Sequence, residues 1–380
     1  MSHNPIYLDC NATTPVDPRV LEAMLPYLAA HYGNPSSDHV YGQRAKAAID
    51  AARAEVAALI GASPAEIVFT GCATEANNLA LLGAARAAQP GGRTVLVTSS
   101  IEHPSVLQPL RHLARGGWSV TELPVDAAGR VQSSHAAKAI TPEVALVSVM
   151  LANNETGSLQ AVRAMADLAH AAGALMHVDA AQAAGKVAVD VHALGADLLT
   201  LAGHKFYAPK GVGALYVRTG VALEPVQFGA GHENGLRPGT ENVPYIVALG
   251  EAARLARTTL TQEATRMTAL RDCLHGLLGA AIPGLSLNGH PTERLPNTLN
   301  LSFPSVAGWQ LLAAAPAVAA STGSACHAGD HAVSGVLAAM GLSREAAVGA
   351  VRLSLGRFTT EAEVDRAADA LISAWKSLKA

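Results

Sequence analysis

The chain is poor in charge and in aromatic side chains: of its 380 residues, 15% are Asp, Glu, Lys or Arg and 4% are Phe, Trp or Tyr. Half are hydrophobic, which excludes a disordered polyelectrolyte and predicts a packed interior. An excess of basic charge is also lacking. The formal net charge of −3 gives no general pull toward nucleic acid or an anionic membrane surface, so neither partner is expected. No apolar run reaches the length a bilayer demands. The N-terminus, MSHNPIYLDCNATTP, has neither an apolar signal core nor an arginine-rich leader, which sets a cytoplasmic location as the expectation. Cysteine is scarce and unpaired. Cys10, Cys72, Cys273 and Cys326 show no CxxC spacing, which argues against a disulfide framework and, with one thiol beside His327, Asp330 and His331, against a metal site. Three of the four read as small buried hydrophobes; Cys326 is the exception.

What is present is alternation. Seven short apolar, β-branched runs, at 67–70, 94–99, 119–124, 146–151, 174–179, 198–203 and 213–218, are separated by alanine-rich helical stretches. This pattern predicts an α/β fold around a mostly parallel sheet covered on both faces. Only about ten residues separate the last two runs, too few for a crossover helix, so that pair is predicted to be an antiparallel hairpin. A helix is expected over roughly 244–280. Beyond it, strand-like NTLNLSF (297–303) and VRLSLG (351–356), a helix at 308–315 and an amphipathic closing helix predict a smaller α+β domain. The expected division is a large domain over 15–255 and a small one assembled from 1–14 and 256–380.

Lys205 ends the run LLTLAGHK at the entrance of the hairpin. Ligand crevices of open α/β sheets lie beyond the carboxyl ends of the strands, so its position favours a cleft. Asp179 ends the preceding strand, with Gln182 three residues on. Alone, such an aspartate is more often a helix cap. Together, an acid and a lysine facing one crevice suit pyridoxal phosphate: the lysine holds the aldehyde as a Schiff base and the acid pairs with the pyridinium nitrogen. FTGCATEANN gives a strand, a small-residue turn and a helix start where Thr74 and free N–H groups suit a phosphate or simply cap the helix. His103, before a proline, is a candidate proton shuttle or a structural histidine. Cys326, in the Gly- and Ser-rich STGSACHAGDH, is available for chemistry in a way a core cysteine is not. Arg352 offers a planar fork for a carboxylate, or a surface ion pair.

In this order and spacing, YLDCNATTPVDPRV, GNPSS, FTGCATEANN, EHPSV, ANNETG, HVDAAQAAGK, GHKFYAPKGVGALYVR, GLRPGTEN, RLPNTLNLSF, STGSAC and VRLSLGRFTTEAEVD resemble the cysteine desulfurase family (NifS/IscS type) of class V, fold-type-I pyridoxal-phosphate enzymes. The resemblance implies that family's fold, a large domain with a seven-stranded, mostly parallel sheet plus the small domain carrying the cysteine loop. It implies pyridoxal 5'-phosphate as cofactor and L-cysteine as substrate, yielding L-alanine and a persulfide for iron–sulfur or other sulfur-cofactor biosynthesis. Lys205 resembles the Schiff-base lysine, Asp179 the pyridine partner, Gln182 the donor to the phenolic oxygen, and His103 the ring-stacking, proton-relaying histidine. Asn154 resembles a further cofactor and substrate contact. Phosphate contacts fall on Ala73, Thr74 and His204, and on Thr240 reaching across a homodimer. Arg352 matches the clamp for the substrate carboxylate and Cys326 the nucleophile. A sulfur-acceptor or scaffold protein is the implied further partner. Many relatives have a phosphate-binding serine where this chain has Ala202. Selenocysteine lyase, whose cysteine sits in a shorter segment, a class V aminotransferase and a non-catalytic sulfur-carrier module are the alternatives.

Overall fold

The computed structural model describes residues 4–322 and 333–379. A short strand β1 (Ile6–Tyr7) precedes β2 (Ile67–Thr70), β3 (Val95–Ser99), β4 (Ser119–Leu123), β5 (Val144–Met150), β6 (Leu175–Asp179), β7 (Leu198–Ala202) and β8 (Gly213–Val217). The last seven are the seven predicted runs, and they form one sheet in the order β2-β8-β7-β6-β5-β3-β4. The pairs β3–β4, β3–β5, β5–β6 and β6–β7 are parallel, whereas β8 lies antiparallel to both β7 and β2. The predicted hairpin is therefore present. Every residue of β2, β5 and β7 is buried, as expected for strands covered on both faces. The edge strand β4 instead carries exposed Ser119, Thr121 and Glu122, a surface that resists pairing with another sheet.

A second core is organised differently. Strands β9 (Ser286–Leu287), β10 (Thr298–Ser302) and β12 (Ala350–Ser354) form an antiparallel sheet, and β11 (Val318–Ala319) pairs in parallel with β1. The helix Val243–Ala281 joins the two cores. Ile246, Leu249, Ala253 and Ala256 lie in the large core; Leu270, Leu274 and Leu278, at a four-residue spacing, lie in the second with Ile6, Leu8, Leu353 and Leu371. The first half packs so closely on the helix Val40–Leu59 that a Cβ at Gly250 would fall 2.5 Å from Ala52 Cα. No helix among the described residues is long and apolar enough to cross a membrane. Of the three thiols described, Cys10 is buried, but Cys72 and Cys273 are exposed, which corrects the expectation of buried packing residues. Cys72 precedes the first turn of a helix and Cys273 sits on the outward face of one, so neither position faces a core.

After β8 the chain crosses the surface to a segment anchored by Glu233. Its carboxylate accepts from Phe69 N at 2.8 Å and from both terminal nitrogens of Arg53, at 2.8 and 2.7 Å. Glu233 and Asn234 both have positive φ, so the backbone bends sharply to bring this carboxylate inward. Removing one member of a buried ion pair strands the other charge and costs about 3–5 kcal/mol. Glu233→Ala is therefore expected to lower the midpoint of thermal unfolding by several degrees; an unchanged midpoint in calorimetry would show that the segment is held by other contacts.

Candidate active site

The parallel strands deliver their chemistry along one edge. The carboxyl end of β2 leads into the helix Ala73–Ala88, β3 into His103, β5 into Asn154, β6 ends at Asp179, and β7 leads through a short turn to Lys205. Gly213, at the start of β8, keeps this edge tight. A Cβ there would lie 2.7 Å from the Leu201 carbonyl and 2.9 Å from the Cys72 carbonyl carbon, so a side chain would push the helix start away from β7. That start is not capped by a side chain, and its first helical bond is Ala76 N to the Cys72 carbonyl. The N–H groups of Ala73 and Thr74 therefore lie ahead of the helical ladder, where an anion is favoured.

Lys205 Nζ donates to the carbonyl oxygens of Asn11, at 2.6 Å, and Ala12, at 2.8 Å. Two acceptors match the two N–H groups of a neutral amine and leave the third of an ammonium without a partner among them. Consistently, burial pushes Lys205 down to about 8; the Arg352 guanidinium adds to the shift, and Asp9 and Asp179 oppose it. Asp179 is buried. Its Oδ2 accepts from Asn77 Nδ2 at 2.9 Å and its Oδ1 from Ala181 N at 2.9 Å. Asn77 also donates to Ser105 Oγ, which meets His103 Nδ1 at 2.8 Å, and Ser105 N–H donates to the same ring nitrogen. Burial lowers the His103 pKa; the charge of Lys205 acts the same way and that of Asp179 against it. Next to it, burial lifts the carboxyl of Glu102 to about 8. Burial, assisted by Lys205, Lys210 and Lys186, takes His204 down to about 4, leaving a neutral ring beside Thr13 Oγ1 at 3.1 Å.

Asn11, on the segment after β1, ties the remaining groups together. Its carbonyl accepts from Lys205 and from Gln182 Nε2 at 2.9 Å; its Oδ1 accepts from Lys186 at 3.0 Å and Asn297 at 3.1 Å. Its Nδ2 donates to the Asn154 carbonyl at 3.2 Å and to Thr298 Oγ1 at 2.9 Å. The Asn154 carbonyl also accepts from the buried Arg352, whose other terminal nitrogen reaches Asp9 Oδ1 at 2.6 Å. The structure thus brings Lys205, Gln182, Asn154 and Arg352 into one network, with Asp179 and His103 on a second that bears electrostatically on the first. Thr74 and His103 line one cavity of about 440 Å³. Thr240 is exposed on the segment that follows Glu233. Cys326 lies outside the described residues. Sequence reasoning missed Asn11, Asp9, Asn77 and Lys186. The usable signal was weak: each stands inside a quoted motif, as an amide or charge in an otherwise small or apolar stretch.

The chain as a whole has counterparts among known proteins. The aminotransferase class-V family profile matches residues 6–367. Cysteine desulfurase 2 of Trichormus variabilis is 48% identical over 363 residues, 95% of this chain and 90% of that protein. A solved NifS-like protein superposes with a TM-score of 0.91 at 38% identity, covering 97% of this chain and 98% of the other. SspA, solved in complex with cysteine, gives a TM-score of 0.82 at 35% identity over 93% of this chain and 99% of its own. The chain therefore belongs to the class-V aminotransferase family, with the fold of NifS-like proteins.

Proposed function

We propose that this protein is a cysteine desulfurase, using pyridoxal phosphate to take sulfur from L-cysteine and leaving L-alanine and a persulfide on Cys326. The observation that carries the reading is the half-buried Lys205 amine, held by two carbonyls and depressed to about 8, one strand from the buried Asp179 carboxylate. The relatives support the substrate: one is named a cysteine desulfurase and another was solved with cysteine bound.

The donor set fits the cofactor. An amine for the aldehyde, a buried carboxylate for the ring nitrogen, an amide donor at Gln182 and open N–H groups at Ala73 and Thr74 are what its four polar parts require. When bound, pyridoxal phosphate supplies an electron sink next to the substrate's α-carbon. Everything else falls to the chain. Neutral Lys205 takes and returns the α-proton, and His103 relays protons at its ring nitrogens. His204, a neutral donor, supports the phosphate with Ala73 and Thr74; Ala202, lacking a hydroxyl, gives nothing there. Arg352 and Asn154 hold the substrate's carboxylate end, with Asp9 supporting the guanidinium. The Cys326 thiolate attacks the substrate sulfur. A sulfur–sulfur bond forms as the carbon–sulfur bond breaks, the electron pair leaves with the carbon, and protonation gives alanine. The persulfide is then passed to an acceptor for iron–sulfur or related cofactor assembly.

The working form is read as a homodimer in which Thr240 completes the neighbouring phosphate site. Leu21, Leu25, Leu28 and Tyr32 form an exposed apolar stripe that supports such an interface. Free thiols at Cys10, Cys72 and Cys273 fit a cytoplasmic location. The large domain is read as 15–255 and the small one as 1–14 with 256–380, supported by the packing of Ile6 and Leu8 in the second core.

Incubation with L-cysteine is expected to release alanine and sulfane sulfur in equal amounts, and Cys326→Ala to lose that turnover; a variant with full turnover would overturn the persulfide route. Capture of pyridoxal phosphate by the cofactor-free chain needs neutral Lys205. Its rate is expected to rise with pH to a plateau above about 8, falling about tenfold per unit below the midpoint. A flat profile between pH 6 and 9 would contradict the assignment. Arg352→Lys loses the two-pronged grip on a carboxylate and is expected to raise KM for L-cysteine about ten- to a hundredfold in steady-state assays.

A further inference from the structure

Lys186 is a buried titratable group that the reaction above leaves unused. Only 5% of its surface is accessible, and Nζ donates to Gln182 Oε1 at 2.8 Å and to Asn11 Oδ1 at 3.0 Å. Both acceptors are neutral amide oxygens. An amine taken from water and satisfied only by amides is an expensive way to fill space that a methionine would fill without desolvation. Burial moves it down to about 7, with Lys205 and Arg352 adding to the shift and Cys10 opposing it. As with Lys205, two acceptors match a neutral amine's two N–H groups.

In both of its contacts Lys186 is the donor, so the partner atoms it selects are the two amide oxygens. A carboxamide has an accepting end and a donating end. With Oε1 of Gln182 fixed on Lys186, the donating Nε2 is turned to the Asn11 carbonyl, the same oxygen that receives Lys205. The second bond, to Asn11 Oδ1, holds the residue whose carbonyl anchors that amine. Lys186 thus touches Gln182 and Asn11, the residue whose carbonyl receives both Gln182 and Lys205.

We propose that Lys186 is a positioning residue that fixes the orientation of the Gln182 amide, so that Nε2, with one N–H on the Asn11 carbonyl, has its other N–H to give to the ring oxygen of pyridoxal phosphate. The inference rests on the cofactor reading above. The test uses the full-length chain, stripped of cofactor and titrated with pyridoxal phosphate, with affinity and the visible absorption maximum as readouts. Lys186→Met is expected to weaken binding about tenfold, as for loss of one oriented hydrogen bond, and to shift the absorption maximum. In a Gln182→Leu background the same change is expected to lose most of its effect on affinity and all of its effect on the absorption maximum, because Lys186 acts mainly through Gln182, the remainder passing through Asn11. Lys186→Gln, which keeps a donor in the same packing, is expected to recover part of the affinity. It carries the comparison in both backgrounds should the methionine variant fail to fold. Wild-type affinity and spectrum in a folded Lys186→Met protein, or an undiminished effect in the Gln182→Leu background, would overturn the proposal. A wild-type chain that takes up no pyridoxal phosphate would instead overturn the cofactor reading, and this inference with it.

Discussion

The site depends on one shortage: around Asn11, two amines are removed from water and neither is offered a carboxylate as its hydrogen-bond acceptor. Lys205 and Lys186 are held by carbonyl and amide oxygens alone. Amide dipoles hold an N–H in place without compensating a full charge, so desolvation wins and both amines are pushed toward the neutral form. For the role proposed for Lys205 that is the useful state, because only an unprotonated amine attacks an aldehyde or accepts an α-proton. Had Asp9 or Asp179 closed directly on Lys205, an ordinary ion pair would have formed and the nucleophile would be lost. Instead Asp9 is engaged by Arg352, and Asp179 by Asn77 and the Ala181 N–H. The carboxylates are occupied elsewhere, so their charge opposes but does not overcome the desolvation that lowers Lys205.

The sheet explains how the groups meet. A parallel sheet lines up every carboxyl end on one edge, so the segments that follow β2, β3, β5, β6 and β7 all emerge along that edge. The antiparallel strand β8 then brings the chain back beneath the helix start at Ala73, and Gly213 permits backbone to lie against backbone there. The open N–H groups of Ala73 and Thr74 and the Lys205 amine are thereby fixed to adjoining pieces of the sheet. Precision in this site comes from main chain, with side chains adjusting charge.

This division sets what the sequence could show. The seven strands were legible because a strand covered on both faces must be apolar throughout, and the hairpin because ten residues cannot hold a crossover helix. Lys205, Asp179 and His103 were legible because each follows such a run, where polarity changes abruptly. Asn11 was not. Its partners stand at positions 154, 182, 186, 205, 297, 298 and 354, so no local pattern marks it, and its role appears only when the chain has closed. Lys186 was hidden for the related reason that its neighbours in sequence, Gly185 and Val187, say nothing about burial of the amine. Cys72 and Cys273 were misread because a cysteine's usual preference for the interior says little about a helix start or an outward helical face.

The same dispersal couples assembly to chemistry. Asp9 and Asn11 follow β1, which is stitched to β11, while Arg352 belongs to β12, whose Ser354 receives the Asn11 N–H. Lys205, Gln182 and Lys186 belong to the large sheet and its loops. Neither core contains a complete site. The amine's two carbonyl acceptors lie on the N-terminal segment, which runs from the second core past the turn that follows β7, and that crossing is held by Arg357 bonded to Asp17 and stacked on Tyr207. The desolvation that depresses Lys205 therefore depends on contacts from both cores.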